Sequence, residues 1–300
     1  EIHFPHSIGL LYSAFTYYTG FKVNSGEYKV MGLAPYGQPK YKNTILEKLI
    51  DLKDDGSFRL NMKYFNYATG LTMTNKKFSD LFGQPNRNAK KDLLKQFHMD
   101  IASSIQAVIE EIVLKLTSSI AKEYKASNLC LAGGVALNCS MNGKLESSDL
   151  FKEIFVQPAS GDSGVAIGAC YLAERRRNPS LLPERSSISF LGGGSDSEEI
   201  DQALVSSGLD FTMSRDVLSW TSKQLANGRI VGWYQGRSEF GPRALGNRSI
   251  LTRPYPASMK DYLNSRVKFR ESFRPFAPAV MVDYLEDYFQ IGQESPHMLI

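Results

Sequence analysis

The chain has 300 residues, of which 42% are hydrophobic and 22% are charged, and its formal net charge is +4. Such values predict a globular protein with a buried core, built as one large domain or as two ordinary ones. No apolar run approaches the ~18 residues of a membrane-spanning helix, so we expect no membrane partner. The three cysteines lack paired spacing, which argues against a disulfide framework or a zinc site and favours a cytoplasmic protein.

The first 124 residues are predicted to be mainly helical. Ser7 has the side chain of an N-cap, and Gly20 is typical of the residue just past a helix end. A glycine-rich segment from Asn24 to Gly37 follows the first helix. Apolar residues then recur at helical spacing, which predicts one long helix or two joined end to end. The predicted elements are helices over 7–18 and 41–51, short strands over 58–60 and 71–73, and the helical stretch over 90–124.

Two strand–glycine–helix units come next. The first strand, Asn128 to Leu131, runs into Gly133 and Gly134 and then into a helix. The second strand, Glu153 to Val156, runs into a turn over residues 160–164 and then into another helix. Strands that alternate with helices predict an α/β layer, in which ligands bind at the carboxyl ends of the strands.

The rest of the chain is predicted to form a second domain. Prolines and the run Gly192 to Gly194 punctuate a linker between Arg177 and Asp196. We therefore place the two domains at residues 1–188 and 189–300. The elements predicted beyond the linker are a helix from Ser197, a strand over Phe211–Met213, a helix over Val217–Ala226 and a strand over Arg229–Tyr234.

The most basic part of the chain runs from residue 235 to residue 275. It holds nine Lys or Arg and three acids, a charge of +6, so the remainder of this +4 chain carries −2. Arginine presents a planar fork of donors that matches phosphate, and glycine lets the backbone approach a ligand. A duplex-binding protein usually spreads its cations along a face. Clustering around turn residues therefore predicts a pocket for a small anion, with no nucleic-acid partner; a solvated basic loop is the alternative.

Three smaller features could contribute to a site. Gly133 and Gly134 expose N–H groups at a helix start, which suits a phosphate, although a tight structural turn is the alternative. Asp162 stands on a glycine-flanked turn and could coordinate a metal ion, or it could cap the following helix. Lys29, with Tyr28, could line a substrate cleft.

Taken together, these motifs resemble the NodU/CmcH family of O-carbamoyltransferases. The matching blocks extend from one end of the chain to the other, with the weakest stretch at 54–90. They are Phe4–Ser7, Gly26–Gly37, Ala132–Asn138, Gln157–Gly164, Phe240–Leu251 and Val267–Pro278.

The resemblance implies an α/β protein in which part of an actin-like ATPase (ASKHA) domain precedes part of a YrdC-like domain. It implies that the second domain makes carbamoyl adenylate from carbamoyl phosphate and ATP. The first domain would then transfer the carbamoyl group to a hydroxyl of a small molecule, assisted by a divalent metal (Fe²⁺ or Mg²⁺). The protein could also form a homodimer.

The resemblance also implies roles for individual residues. Asp162 becomes a metal ligand, and Gly133, Gly134 and Asn138 hold the adenylate. The residues expected to bind carbamoyl phosphate or the nucleotide phosphates are Arg243, Lys268 and Arg274, as catalytic groups, and Arg248, as a binding group. Arg237 and Lys29 are further candidates for substrate or nucleotide binding.

We expect the chain to be a fragment that is catalytically silent by itself, because a lone Asp162 cannot hold a metal tightly. The alternative functions are another enzyme of the same superfamily, such as a small-molecule kinase or a tRNA-directed threonylcarbamoyl transferase, and a non-catalytic nucleotide-binding module. Neither the acceptor (a sugar, an antibiotic or a nodulation factor) nor the general base can be identified from these residues.

Overall fold

The computed structural model describes residues 1–181 and 189–300 of the chain. The α-helices are α1 (Ile8–Tyr18), α2 (Glu27–Leu33), α3 (Lys42–Lys48), α4 (Lys76–Phe82), α5 (Gln96–Tyr124), α6 (Cys139–Glu146), α7 (Gly164–Arg177), α8 (Ser197–Ser207), α9 (Val217–Ala226), α10 (Met259–Arg266) and α11 (Leu285–Tyr288). The strands are β1 (Ile50–Leu52), β2 (Phe58–Leu60), β3 (Asn128–Leu131), β4 (Glu153–Val156), β5 (Val231–Tyr234) and β6 (Arg248–Leu251).

The described residues divide into two compact units. The first unit holds residues 1–156, 271–294 and 299–300, and the second holds residues 157–270 and 295–298. The domain boundary predicted at residues 188 and 189 stays a prediction, because residues 182–188 lie outside the described part of the chain. The predicted linker from Arg177 to Asp196 falls partly on those residues.

The first unit is organised around the long helix α5. Its apolar positions, including Ile101, Ile105 and Ile112, are fully buried, and the helix packs against α1, α2, α3 and α6. A second face of the core is aromatic: the rings of Phe15 and Phe78 meet edge to face, with centroids 5.2 Å apart. The buried apolar positions run along one face from Ile101 to Ile112, and no glycine or proline interrupts residues 96–124, which accounts for one helix rather than two.

The predicted α/β class is confirmed. In the first unit, β1 and β2 pair antiparallel, and β3 and β4 pair parallel, with Leu131 opposite Val156. In the second unit, β5 and β6 pair antiparallel, with Tyr234 opposite Arg248. The more specific likeness to an actin-like domain and a YrdC-like domain stays a prediction.

Several predicted elements need correction. The helix expected over residues 41–51 ends at Lys48, because Ile50–Leu52 pairs with Phe58–Leu60. Residues 71–73 and 211–213 form no strand: Leu71, Phe211 and Met213 are exposed and have no neighbouring strand to pair with among the described residues. Strand β6 and helix α10 were not predicted, because arginine, serine and asparagine conceal their apolar pattern.

Among the described residues, no helix combines the length and the hydropathy that a membrane crossing requires.

The buried face of α5 yields a stability prediction. Ile105→Ala should lower the free energy of unfolding by about 2–5 kcal/mol, because Ile105 is fully buried and the truncation leaves a cavity. Ile120→Ala on the same helix is the matched control, since Ile120 is 42% exposed, and it should cost less than about 1 kcal/mol. Urea unfolding measures both; equal losses would contradict the assigned core.

Candidate functional site

The basic loop, residues 235–247, connects β5 to β6 in the second unit. Its turns require glycine, because Gly241 and Gly246 have φ angles of 137° and 104°, which side chains with a Cβ rarely adopt. The strands that it joins form a short antiparallel ladder. The loop is therefore held at both ends, and its conformation depends on what satisfies its polar groups.

A carboxylate stands at the centre of the basic loop. Glu239 Oε1 accepts hydrogen bonds from the main-chain N–H groups of Leu245 (2.7 Å), Asn247 (2.9 Å) and Arg248 (3.2 Å). Partial burial by itself would raise the pKa of Glu239, but these three hydrogen bonds outweigh it and hold the pKa below its ordinary value. Sequence reasoning counted Glu239 only as a charge and missed this role.

Two of the predicted anion-binding arginines donate to main-chain carbonyls. Arg237 donates from Nε to Gly192 O (2.9 Å) and from Nη2 to Leu191 O (3.0 Å). The terminal nitrogens of Arg248 make four such bonds, and its guanidinium lies 3.5 Å from the centroid of the Tyr234 ring. Their role in binding an anion stays a prediction, but in this structure these donors stabilise the loop.

The triple glycine from Gly192 to Gly194 packs against the basic loop and does not act only as a linker. Gly192 N donates to Ser238 O (3.0 Å), and Ser238 N donates to Gly193 O (2.9 Å). A Cβ at Gly192 would overlap the Ser238 side chain. Glycine is needed here because two backbone segments approach each other closely.

Arg243 differs from Arg237 and Arg248. Its side chain is half-buried, and its Nε is buried without a hydrogen-bond partner among the described residues. Lys268 lies in the same unit and is exposed. A buried guanidinium donor without an acceptor is costly unless a ligand supplies one. Arg243 is therefore a candidate anion-binding group, and Arg253 in the same unit shares the property of a buried Nε without a partner among the described residues.

In the first unit the structure brings Lys29 and Arg274 to one carboxylate. Lys29 Nζ lies 2.6 Å from Glu271 Oε1, and Arg274 Nη1 lies 4.0 Å from Glu271 Oε2. The Arg274 guanidinium also lies 4.6 Å from the centroid of the Tyr28 ring. Phe273, between Glu271 and Arg274 in sequence, is buried, and its carbonyl accepts a hydrogen bond from the Tyr36 hydroxyl (3.1 Å).

Glu271 is charged in this arrangement. Partial burial would raise its pKa, but the hydrogen bond from Lys29 and the charges of Lys29 and Arg274 lower it below its ordinary value. The segment that carries Arg274 is thereby fixed to helix α2, which carries Lys29. Sequence reasoning selected both cations and missed the carboxylate between them.

The diglycine turn follows β3 in the first unit. Gly133 has a φ of 96°, and a 3₁₀ turn over Gly134–Leu137 follows it. A Cβ at either glycine would meet nothing within 4 Å. The turn therefore needs glycine at Gly133 for its backbone conformation, and the space beside it can admit a ligand group.

Asn138, which ends this turn, is buried and fully engaged. Its Oδ1 accepts from Met141 N (3.0 Å), which caps α6, and from Gln106 Nε2 (3.0 Å), while its Nδ2 donates to Gln106 Oε1 (3.0 Å). Gln106 lies on α5 and also accepts from the Tyr12 hydroxyl (3.0 Å). A glutamine within the apolar stripe of α5 was the sequence signal for this link. The predicted contact of Asn138 with an adenylate stays a prediction.

Asp162, the predicted metal ligand, is exposed and lies in the second unit. The capping alternative is not observed, because α7 begins at Gly164 with Ser163 as its N-cap residue and has no side-chain cap hydrogen bond. Among the described residues, no group of three or more His, Cys, Asp or Glu side chains is placed to hold a metal ion. Asp162 is thus the one predicted metal ligand among the described residues, and by itself it does not make a metal centre.

The Lys29–Glu271 ion pair predicts a pH-dependent stability. Because the folded pKa of Glu271 lies below its ordinary 4.5, its contribution is complete above 4.5 and is lost as the pH falls through the folded pKa. The difference in unfolding free energy between the wild type and Glu271→Gln should therefore be constant near neutral pH and vanish in acid. Urea unfolding across this range measures it. The same difference in a Lys29→Met background should be smaller at neutral pH; an unchanged difference would contradict the pair.

Comparison with known proteins identifies the family of the chain. The family model described as carbamoyltransferase N-terminus matches residues 1–171, and the one described as carbamoyltransferase C-terminus matches residues 222–300. The first match by itself covers more than half of the chain.

Relatives agree with these matches. An uncharacterized protein of Synechocystis is 56% identical across the whole chain, which covers 50% of that relative. The nodulation protein NolNO of Sinorhizobium fredii is 40% identical over 98% of the chain, which covers 43% of that relative. The 3'-hydroxymethylcephem-O-carbamoyltransferase of Amycolatopsis lactamdurans is 34% identical over 64% of the chain and 36% of that enzyme. The chain spans about half the length of the curated relatives that it matches. By these matches the chain belongs to the carbamoyltransferase family, as its motifs predicted.

Proposed function

We propose that this chain carries the site at which carbamoyl phosphate and ATP react in an O-carbamoyltransferase. Carbamoyl phosphate, ATP and one water give carbamoyl adenylate, pyrophosphate and phosphate. The oxygen of an acceptor hydroxyl then attacks the carbamoyl carbon, AMP leaves, and the hydroxyl proton passes to solvent. Carbamoyl phosphate and ATP are both strongly anionic, so a site that brings them together needs cations directed at their phosphates.

The observation that carries this proposal is the state of Arg243. Its neighbours Arg237 and Arg248 donate to carbonyls, whereas Arg243 Nε is buried and lacks an acceptor among the described residues. An unmade hydrogen bond at a buried donor costs about 1–3 kcal/mol, and a charged oxygen is the acceptor that relieves it best. A phosphate of carbamoyl phosphate or ATP supplies that oxygen. The exposed Lys268 offers a second cation from the same unit.

Taken by itself, the first unit has groups that are suited to a nucleotide phosphate. The open space beside Gly133 and Gly134 suits the close approach of a phosphate to main-chain N–H groups. Lys29 and Arg274, which are held by Glu271, form a cationic pair whose positions are already ordered. Groups that are fixed before the substrate arrives lose little entropy on binding.

The acceptor is proposed to be a hydroxyl of a small molecule. A relative that bears the name of a cephem O-carbamoyltransferase supports this class, without identifying the acceptor of this protein. Carbamoyl adenylate reacts with water, so we expect the whole protein to enclose it between adenylation and transfer.

Arg243→Ala tests the proposal in the full-length protein. It should slow pyrophosphate release from carbamoyl phosphate and ATP by ~2–4 kcal/mol of barrier, roughly 30- to 1,000-fold, because one charged phosphate contact is lost. Carbamoyl transfer from preformed carbamoyl adenylate to an acceptor should be unaffected.

Arg215→Ala is the matched control, since Arg215 is exposed in the same unit. Equal loss of both half-reactions would place Arg243 outside the proposed role. ATP turnover that proceeds without carbamoyl phosphate would favour a kinase.

A further inference from the structure

We propose that Glu239 is a positioning residue for Arg243: its carboxylate fixes the loop that presents the Arg243 guanidinium to the substrate anion. This inference rests on the proposed function, because it assumes that Arg243 binds the phosphate of carbamoyl phosphate. In this role the Glu239 side chain contacts main-chain N–H groups and acts on the substrate only through Arg243.

The bonds of Glu239 enclose Arg243 on both sides. The bond from Leu245 N to Glu239 Oε1 (2.7 Å) closes a segment of seven residues, with Arg243 inside it. The further bonds from Asn247 N and Arg248 N to the same oxygen fix the end of the loop to the start of β6. A charged oxygen that accepts three amide hydrogens makes stronger bonds than a neutral acceptor does. Together with the bonds from Phe240 N to Ser189 O and from Asn247 Nδ2 to Arg237 O, this carboxylate fixes the backbone on both sides of Arg243.

The arginines near Glu239 do not draw its carboxylate away from the main-chain amides. A carboxylate beside three arginines would ordinarily pair with one of them, yet Glu239 forms no ion pair among the described residues. Arg237 and Arg248 are directed at carbonyls instead. Glu239 thus shapes the loop without neutralising Arg243, and Arg243 keeps its charge available for a ligand.

A second interpretation of the same geometry makes the opposite prediction. The three amide groups could themselves form an anion site that Glu239 occupies until phosphate displaces it. Removal of the carboxylate would then strengthen the binding of carbamoyl phosphate. If Glu239 positions Arg243, removal of the carboxylate weakens that binding.

A double-mutant cycle in the full-length protein separates these cases. The variants are Glu239→Ala, Arg243→Ala and the pair together, and the readouts are kcat and KM for carbamoyl phosphate in pyrophosphate release. We expect Arg243→Ala to lower kcat/KM roughly 100-fold, Glu239→Ala to raise KM about tenfold, and the double variant to match Arg243→Ala. A merely structural role would make the two losses multiply, which would overturn the assignment.

Conservative variants keep the test interpretable if Glu239→Ala fails to fold. Glu239→Gln retains an oxygen acceptor of the same reach but loses its charge, so its loss of kcat/KM should be smaller than that of Glu239→Ala. Glu199→Gln is the matched control, because Glu199 also accepts one main-chain N–H (from Asp196, 3.2 Å) but at an exposed helix start; it should change nothing. A Glu239→Gln loss as large as that of Arg243→Ala, or tighter binding in either Glu239 variant, would overturn the inference.

Calorimetric titration of the wild type with carbamoyl phosphate distinguishes a failure of the proposed function from a failure of the role of Glu239. A wild type that neither binds carbamoyl phosphate nor releases pyrophosphate would overturn the proposed function and, with it, the role of Glu239. A wild type that does both, while the losses multiply in the cycle, would overturn only the role of Glu239.

Discussion

The candidate site depends on the hydrogen bonds that the main chain makes with the charged side chains of the basic loop and of Arg248, the first residue of β6. Glu239 accepts from three N–H groups, and Arg237 and Arg248 donate to carbonyls. Each of these charges is satisfied by backbone dipoles rather than by an opposite charge. Two arginines and one glutamate lie in this loop, and none of the three forms an ion pair among the described residues. Arg243 is the arginine of the loop that retains an unused buried donor among the described residues.

The first unit follows the opposite arrangement. There, Glu271 does pair directly with Lys29 and lies near Arg274, and this contact fixes a segment distant in sequence to helix α2. The reciprocal amide pair of Gln106 and Asn138 similarly links the diglycine turn to α5. In both cases a side chain that the sequence predicted to bind a ligand is held by a partner that the sequence did not point to. Lys29 is held by Glu271, and Asn138 is held by Gln106. Ordered partners of this kind reduce the cost of forming a site when the ligand arrives.

The sequence allowed much of this protein to be predicted. The α/β class, the limits of α9, and strands β2, β3 and β4 follow from apolar periodicity and turn residues, and the family follows from motifs spread along the chain. The pairing of Ile50–Leu52 with Phe58–Leu60 is a local hairpin whose Asp55–Gly56 turn was overlooked. The other features that were missed depend on contacts between distant segments. The packing of Gly192 on Ser238 and the acceptors of Arg248 leave no local pattern. Arginines that bind phosphate and arginines that bind carbonyls look alike in a sequence, and only their partners distinguish them.

The central claim is a division of labour among three arginines, and a crystal structure of the full-length protein with carbamoyl phosphate bound tests it most directly. We expect the Arg243 guanidinium to lie within hydrogen-bonding distance of the phosphate, while Arg237 and Arg248 keep their carbonyl partners and Glu239 keeps its three amides. A phosphate bound by Arg248 after it has left the Tyr234 ring, or bound in the place of the Glu239 carboxylate, would contradict it.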